Sequence, residues 1–291
     1  MKKRVPALLL AAMMAISPLA LAESDEDAPE FENATRLEAG TTTRIDLNGD
    51  GADEELRLRL DGDPDYPQLT AVVTGTDGAV YEYTTDITYY ERIYATDIDG
   101  DGKQELLLSG DMASSDYYTW CLRYDDENGL TTVQFPNTER DKGASSAAHT
   151  ECGYGLLTDI SDGVITLSGS QDILGTWFAS RRVSYNAEEG CFDFADDGAY
   201  MIDLSEHDWS DEYRTLCTTC ELAATVDGKS VTLAVGTKLV PYASDLESYV
   251  DVLCKDGTIA RIEISANPDN YGYLIGDMED SACFEYMPYA D

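Results

Sequence analysis

The sequence predicts an all-β protein, and two kinds of pattern support this. Leucines alternate with charged residues at positions 56–61, and a period of two is typical of a strand with one buried face. Asp–Gly and Asn–Gly pairs separate β-rich runs at positions 77–78 and 128–129, and such pairs favour the tight turns of β-hairpins. Few segments carry apolar residues at helical spacing over about eleven positions, so we expect little helix.

The N-terminus has the pattern of a secretory signal peptide. Basic residues at positions 2–4 precede an apolar run at positions 7–16, and residues 20–22 read Ala-Leu-Ala, a signal-peptidase pattern. Cleavage after Ala22 makes residues 1–22 the signal peptide. The alternative is an uncleaved anchor, which the short apolar run disfavours. We therefore expect a secreted or otherwise extracytoplasmic protein, with no stable membrane insertion after cleavage.

The chain is strongly acidic. Residues 23–32 are acidic and poor in apolar groups, which predicts a disordered lead-in. The formal net charge of the whole chain is −38. Such a surface repels phosphate backbones, which excludes nucleic acid as a partner, and it attracts cations. Because acids are spread along the whole chain, solubility or adaptation to salt explains the bulk charge equally well.

Export makes disulfides possible for the seven cysteines. An odd number leaves at least one thiol unpaired within a monomer, and the spacing alone does not fix the connectivity. Cys217 and Cys220 have the spacing of a redox or zinc pair. Neither a second pair nor a βαβ context accompanies them, so a structural disulfide or unreactive thiols are favoured over metal and redox roles.

Two repeated acidic loops carry the strongest functional signal. Asp46 to Glu54 and Asp97 to Glu105 begin 51 residues apart (97 − 46). In both, oxygen-bearing side chains occupy loop positions 1, 3, 5 and 9, and glycine occupies position 6, where a positive φ is expected. Calcium takes about six to eight oxygen ligands, so each loop is expected to hold one Ca²⁺, two in all. The predicted ligands are Asp46, Asn48, Asp50, Ala52 (through its carbonyl), Glu54, Asp97, Asp99, Asp101, Lys103 (through its carbonyl) and Glu105.

These loops differ from an EF-hand, whose position 12 is a bidentate Glu, because that position is Arg57 or Leu108 here. The closing acid at position 9 resembles the loops of FG-GAP and VCBS repeats, and the resemblance covers residues 40–135. It implies calcium loops between adjacent strands of a propeller-like repeat domain, which we expect over residues 33–214. An incomplete or degenerate propeller, or a packed array of β-sheets, is equally compatible with the two copies. Residues 158–163 begin like a third copy, but the remaining acids are missing.

Residues 215–291 are predicted to form a small β-barrel. Hairpin signals at Asp227-Gly228 and Asp256-Gly257 separate short β-rich runs. The runs at positions 236–240 and 256–262 resemble bacterial domains of the Src-homology-3 type. A small β-sandwich, or extra hairpins of one larger domain, remains the alternative.

Catalysis has weaker support, and whether the chain is an enzyme stays open, with a non-enzyme favoured. The sequence contains no Gly-x-Ser-x-Gly, His-Glu-x-x-His or phosphate-loop pattern, and its two histidines are His149 and His207. Aromatic pairs at positions 89–90, 117–118 and 177–178 suit core packing better than sugar stacking. The expected function is calcium-dependent binding or adhesion outside the cell, to an unknown protein or polysaccharide. The alternatives are a carbohydrate-active hydrolase using paired carboxylates and a non-catalytic structural accessory subunit.

Overall fold

The structure is a computed structural model that describes residues 28–112, 116–136, 151–205, 207–268 and 272–289. The predicted signal peptide, residues 1–22, lies outside these ranges, as do residues 23–27 of the predicted lead-in. The described part is almost entirely β, as predicted, with one short helix. None of its helices has the length and apolar character needed to cross a bilayer.

The first sheet is a four-stranded antiparallel meander. Its strands are β2 (Thr42–Ile45), β3 (Glu54–Asp63), β4 (Tyr66–Thr74) and β5 (Val80–Thr84), paired in that order. In β3, Leu56 and Leu58 are buried and Arg57 between them is exposed, which confirms the predicted alternation there, while residues 59–61 are all half-buried. The predicted hairpin joins β4 to β5, where Gly78 has a φ of +84°.

The second sheet contains a second meander with one added strand at each edge. Its strands are β1 (Ala34–Leu37), β6 (Tyr89–Thr96), β7 (Glu105–Asp111), β8 (Tyr117–Asp125), β9 (Gly129–Thr132) and β10 (Cys152–Tyr154). Strands β6 to β9 pair in sequence order, while β1 pairs with β6 and β10 pairs with β8. Just before β1, Ala28 is buried and Phe31 packs on Tyr94 with ring centroids 4.9 Å apart, so residues 28–32 of the predicted disordered segment make packing contacts.

A third meander begins the longest sheet. Its strands are β11 (Leu156–Ser161), β12 (Val164–Asp172), β13 (Thr176–Asn186) and β14 (Cys191–Phe194). A two-residue turn joins β11 to β12, with φ values of +49° at Asp162 and +76° at Gly163. The degenerate third copy of the motif is therefore a tight hairpin. Its turn is too short to contain the later loop positions, where the missing acids would lie.

The second sheet lies between the other two meanders. Alternate residues of β7 face opposite sides: Leu106 and Leu108 pack with the first sheet, and Leu107 packs with the third meander. Every residue of β7 is buried as a result, because a strand covered on both faces has no solvent side. The three meanders thus stack in chain order through two apolar cores.

The remaining elements extend the third meander's sheet and add a small one. They are β15 (Tyr200–Ile202), β16 (Leu216–Cys217), β17 (Leu222–Val226), β18 (Lys229–Leu233), β19 (Lys238–Ser244), β20 (Tyr249–Cys254), β21 (Ile259–Glu263), β22 (Ser265–Ala266), β23 (Tyr273–Ile275), β24 (Met278–Glu279) and α1 (Asp280–Cys283). The two hairpins predicted at Asp227-Gly228 and Asp256-Gly257 join β17 to β18 and β20 to β21.

The predicted C-terminal barrel is not found closed in the described residues. Strand β19 pairs with β20 on one side and with β15 and β16 on the other, so the sheet continues back into the third meander. One apolar core also crosses the boundary expected after residue 214, since Trp177 and Tyr200 belong to the same cluster as Leu216 and Val250. Pairing across the boundary leaves the strands of residues 215–291 in an open sheet.

Candidate metal centre

The two acidic loops occupy equivalent places in successive meanders. The first joins β2 to β3 and the second joins β6 to β7. In each case the closing acid, Glu54 or Glu105, is the first residue of the following strand. A β ladder therefore fixes both ends of each loop, which confirms the prediction that the loops connect adjacent strands.

The first loop wraps its backbone around Asp46. The Oδ1 atom of Asp46 accepts hydrogen bonds from the backbone N–H groups of Gly49 and Asp50 at 2.8 and 3.1 Å, and Oδ2 accepts one from Gly51 at 2.8 Å. Asn48 Oδ1 accepts a further bond from the N–H of Asp50, 3.0 Å away. The side chains at loop positions 1 and 3 thus curl the chain before any ion is considered.

The second loop repeats this wrapping. Asp97 accepts hydrogen bonds from the N–H groups of Gly100 at 2.7 Å and Gly102 at 3.0 Å. Asp99 Oδ1 accepts one from the N–H of Asp101 at 3.1 Å. The position-6 glycines Gly51 and Gly102 have φ values of +87° and +88°, as expected for a conformation in which a Cβ would be strained.

Loop positions 5 and 7 lie on the outer side. Asp50 Oδ1 accepts a hydrogen bond from the N–H of Ala52, and Asp101 Oδ1 accepts one from Lys103, at 2.8 and 2.9 Å. The ammonium of Lys103 also lies 3.9 Å from Asp101 Oδ2. The two predicted carbonyl ligands therefore belong to exposed residues next to the position-5 carboxylates.

The closing acids point inward and are fully buried. Glu54 is 0% exposed and Glu105 is 1% exposed. In each loop the Oε2 atom of this acid accepts a hydrogen bond from the N–H at loop position 2, from Leu47 at 2.8 Å and from Ile98 at 2.9 Å. One carboxylate oxygen of each Glu thus anchors its own loop, and the other, Oε1, is available for a different partner.

In the second loop that partner is Arg123 on β8. Its Nε donates to Glu105 Oε1 at 2.8 Å, and its terminal nitrogen donates to Asp99 Oδ2 at 2.6 Å. The guanidinium also donates to the Tyr185 hydroxyl and lies 4.3 Å from the centre of the Tyr185 ring. A side-chain cation from the neighbouring strand therefore lies against the carboxylates predicted to bind metal.

The pKa shifts reflect this ion cluster. Burial alone would lower the pKa of Arg123, but Asp99 and Glu105 outweigh burial and raise that pKa above its usual value. Burial acts to raise the pKa of Asp99, but the hydrogen bond from Arg123 helps to outweigh burial, so the pKa of Asp99 is lowered. Burial keeps the pKa of Glu105 raised despite Arg123. The guanidinium is charged, and it stabilises the charge of Asp99 in particular.

The first loop lacks this arrangement. Glu54 Oε1 has no hydrogen-bond partner among the described residues. Continuing the strand registers by one residue places Glu105 opposite Arg123 but Glu54 opposite Gly75. A Cβ on Gly75 would lie 2.5 Å from the Tyr124 hydroxyl. The Tyr124 hydroxyl therefore occupies the space that a side chain at position 75 would need. A buried carboxylate oxygen is left unpaired, which is costly unless a proton or a cation satisfies it.

Neighbouring charges make this position more unfavourable for an anion. Burial raises the pKa of Glu54, the hydrogen bond from Leu47 lowers it, and the negative charges of Asp50 and Asp46 raise it again. Asn48 Nδ2 donates to Asp126 Oδ2 at 3.0 Å, which adds another carboxylate to the rim. The surroundings of Glu54 thus favour the arrival of positive charge.

The two loops also differ in their ligand atoms. Ligand oxygens of Asp97, Asp99 and Glu105 all lie within 4.8 Å of one another. The same positions in the first loop are Asp46, Asn48 and Glu54, so an amide replaces one carboxylate. The second loop gathers more negative charge, and Arg123 offsets part of it.

The loops pack against each other. The N–H of Gln104 donates to the carbonyl of Leu47 at 3.0 Å, and a Cβ on Gly49 would lie 2.9 Å from the Gly102 carbonyl oxygen. In the next meander, a Cβ on Gly163 would lie 3.1 Å from the Ile98 carbonyl oxygen. Loop one, loop two and the tight turn of the third meander therefore line up at one end of the stacked sheets.

Sequence patterns did not identify Arg123, Tyr185 or Asp126. Arg123 is 18 residues from Glu105 and Asp126 is 78 residues from Asn48, while Tyr185 is 62 residues from Arg123, which it contacts. The available signal was weak: Arg123 is a lone basic residue in a run of aromatic and apolar residues that forms a buried strand. A charge at such a place calls for an opposite charge nearby, but the sequence does not say which one.

Other candidate residues lie away from the loops. His149 is outside the described residues, and His207 packs edge-on against Trp209 with centroids 4.9 Å apart. Burial lowers the pKa of His207, against the opposing charge of Asp208. The core role favoured for the aromatic residues is confirmed for Tyr118, Trp120 and Trp177, which are buried, whereas Phe178 is exposed.

Comparisons with protein-family models, with curated proteins and with solved structures gave no match to this chain.

Proposed function

We propose that this chain is an exported, calcium-binding β-repeat protein of FG-GAP or VCBS character that acts in binding or adhesion outside the cell. The three stacked four-stranded meanders suit the blades of a propeller-like array, closed or incomplete. The aligned loop ends form a rim of the kind on which scaffolds of this type carry binding residues.

The observation that best supports a cation site is that Oε1 of Glu54 has no hydrogen-bond partner among the described residues. This oxygen is buried at the closing position of a loop whose other acids wrap the chain into a concave turn. The equivalent oxygen of Glu105 is satisfied by Arg123. Because the two loops share their backbone wrapping and the anchoring Glu, this difference supports an external cation at the first loop where the second uses a guanidinium.

Calcium suits the donors of the first loop. It prefers oxygen ligands and accepts irregular geometry, and this loop offers Asp46, Asn48, Asp50, Glu54 and the carbonyl of Ala52. A bound ion would supply two positive charges next to Glu54 and would tie the end of β2 to the start of β3. The residues themselves already hold the loop in a curled form, which reduces the ordering cost of binding.

The second loop holds an ion only if Arg123 leaves Glu105 and Asp99. The prediction of two Ca²⁺ ions is therefore refined to two ions of unequal affinity, with the first loop filled first. Calcium sites of proteins, from sensors to extracellular modules, bind at about 10⁻⁷–10⁻³ M, and a dissociation constant of about 10 μM for the first loop lies within this range. The proposed partner remains an extracellular protein or polysaccharide.

Calorimetric titration of the mature protein with calcium tests the ion site. We expect one dominant binding event that weakens at least about tenfold in Glu54→Gln, since the closing ligand loses its charge. Asp256→Asn is the control for the loss of one carboxylate charge, because Asp256 also accepts a backbone hydrogen bond, from the N–H of Thr258 at 2.9 Å, in a turn outside both loops. Absence of any calcium heat in the parent protein would refute the proposal.

Retention on immobilised polysaccharides tests the binding role. The mature protein is passed over a panel of insoluble polymers in calcium and then in EDTA. Retention that calcium supports and EDTA abolishes is expected for a binding protein. Release of new reducing ends from the same polymers would instead favour the carbohydrate-active hydrolase.

A further inference from the structure

The C-terminal segment folds back on the turn that follows β16. The N–H of Thr219 donates to the carbonyl of Cys283 at 2.9 Å, and its hydroxyl donates to the carbonyl of Ala282 at 2.6 Å. The N–H of Glu285 donates to the carbonyl of Cys217 at 2.9 Å. These bonds place the backbone of Cys283 directly beside the Cys217-Thr-Thr-Cys220 sequence.

Two thiols meet in this contact. Cys283 lies beside Thr219, the residue before Cys220, and the Cys220 thiol is one of the neighbours that raise the pKa of the Cys283 thiol. Cys283 is fully buried in the C-terminal apolar core, and Cys220 packs against the same core while keeping partial exposure. Cys217, in contrast, is beside the side chain of Glu285. The structure thus brings together two cysteines that are 63 positions apart in sequence (283 − 220).

The other cysteines occupy different surroundings. Cys152 and Cys121 belong to two separate cores, on opposite sides of the second sheet. Cys191 is the first residue of β14 and lies among the acids Glu189 and Asp193. Cys254, at the end of β20, shares the C-terminal core, but the charged neighbour that acts on it is Asp256 and not another cysteine. Cys220 with Cys283 is therefore the pair that the fold favours.

We propose that Cys220 and Cys283 form a structural disulfide that fastens the C-terminal segment to the β16–β17 turn. Each thiol loses a proton and the pair gives up two electrons, so that a sulfur–sulfur bond forms. A disulfide donor, either a small molecule or an oxidoreductase, accepts the electrons and is released as two thiols. The spacing of Cys217 and Cys220 is then coincidental with respect to redox chemistry.

The order of events follows from burial. Burial raises the pKa of Cys283 to about 12, and the neighbouring Cys220 adds to this effect, so little thiolate forms there once the segment has packed. Cys220 is the more accessible sulfur and is the site for the first mixed disulfide. The Cys283 thiolate then attacks this mixed disulfide during folding, before the apolar core covers Cys283.

The bond would close a loop that contains β17 to β24. Closing a long loop restricts the unfolded chain and so raises stability. Its two ends are the β16–β17 turn and the last residue of α1, so reduction would release the C-terminal segment before the rest of the sheet.

Peptide mapping of the full mature chain tests the proposal. The protein is refolded with glutathione disulfide, alkylated without reduction, digested with trypsin and examined by mass spectrometry. We expect a cross-link between the peptide 215–229, which contains Cys217 and Cys220, and the peptide that contains Cys283. Cys217→Ser is expected to keep this cross-link and Cys220→Ser to abolish it, which resolves the two candidates within one peptide.

Thermal melting gives a second measurement. Reduction is expected to lower the midpoint of the parent and of Cys217→Ser by roughly 5–10 °C, and to leave Cys220→Ser unchanged. Alkylation of both Cys220 and Cys283 in the refolded parent, or a cross-link between Cys217 and Cys220, would overturn the proposal. Running each sample in calcium and in EDTA keeps this result separate from the calcium site.

Discussion

The two acidic loops share a backbone but differ in how the buried closing acid is satisfied. Asp46 and Asp97 wrap their loops with the same hydrogen bonds, and Glu54 and Glu105 anchor them in the same way. Glu105 also pairs with Arg123 from the adjacent strand, whereas Glu54 faces Gly75. The local sequence thus determines the conformation of the loop. The residue opposite on the neighbouring strand determines whether a guanidinium is present to pair with the buried closing acid.

The difference in pairing between Glu105 and Glu54 affects the free energy of unfolding. Removing one partner of a buried ion pair leaves an uncompensated charge, at a cost of about 3–5 kcal/mol. The second loop avoids that cost with a side chain, while the first loop bears it unless a proton or a metal ion is present. Stability that comes from Arg123 does not require calcium, whereas stability that comes from calcium varies with the calcium concentration.

Arg123→Gln is expected to have the largest effect. Without calcium it leaves Glu105 and Asp99 facing each other unpaired and destabilises the protein by about 3–5 kcal/mol. Calcium is expected to restore most of this loss, because the second loop then resembles the first. Urea denaturation in EDTA and in calcium measures both effects, with Arg182→Gln as the exposed control. Equal losses in both conditions would show that Arg123 does not stand in for an ion.

Calcium itself should produce the next largest change. With a dissociation constant of about 10 μM, about 1 mM calcium adds about 2.7 kcal/mol, or roughly 5–10 °C in the melting midpoint. Asp50→Ala is expected to remove this shift, since it deletes a ligand of the first loop. Asp101→Ala, its counterpart in the second loop, is expected to keep most of it. Melts in calcium and EDTA that respond equally to both substitutions would contradict the unequal affinities.

Neutralising the closing acids should give effects of opposite sign in EDTA. Glu54→Gln removes an unpaired buried charge next to Asp46 and Asp50, so we expect stabilisation of about 1 kcal/mol. Glu105→Gln removes the partner of Arg123, so we expect destabilisation of about 2 kcal/mol. Denaturation in EDTA at neutral pH compares the pair directly. A destabilising Glu54→Gln would mean that Glu54 is already protonated or paired.

The smallest change is expected for Tyr185→Phe. This variant removes the hydroxyl that accepts from Arg123 but keeps the ring beneath the guanidinium. We expect a loss of about 0.5–1.5 kcal/mol and a modest increase in the calcium affinity of the second loop, because Arg123 is held less firmly. Calorimetry on the Asp50→Ala background, where the first loop no longer dominates, measures that affinity.

Much of the strand structure could be predicted from local patterns. The alternation at Leu56 and Leu58 and the hairpin at Gly78 are both present, because side-chain burial and turn geometry are encoded within a few residues. The positive φ of Gly51 followed from its loop position in the same way. The predicted barrel was not found, because whether an edge of β19 pairs with β15 depends on a strand that lies outside the predicted domain.

The sequence by itself determined the β character, the hairpin turns and the repeated loop with its acids, because these depend on neighbours along the chain. The tertiary structure decided that Arg123 meets Glu105 while Gly75 meets Glu54, and that Cys220 meets Cys283. Strand register and folding-back of the terminal segment set these contacts. Such long-range pairings depend on how all the sheets pack together, and no short stretch of sequence specifies them.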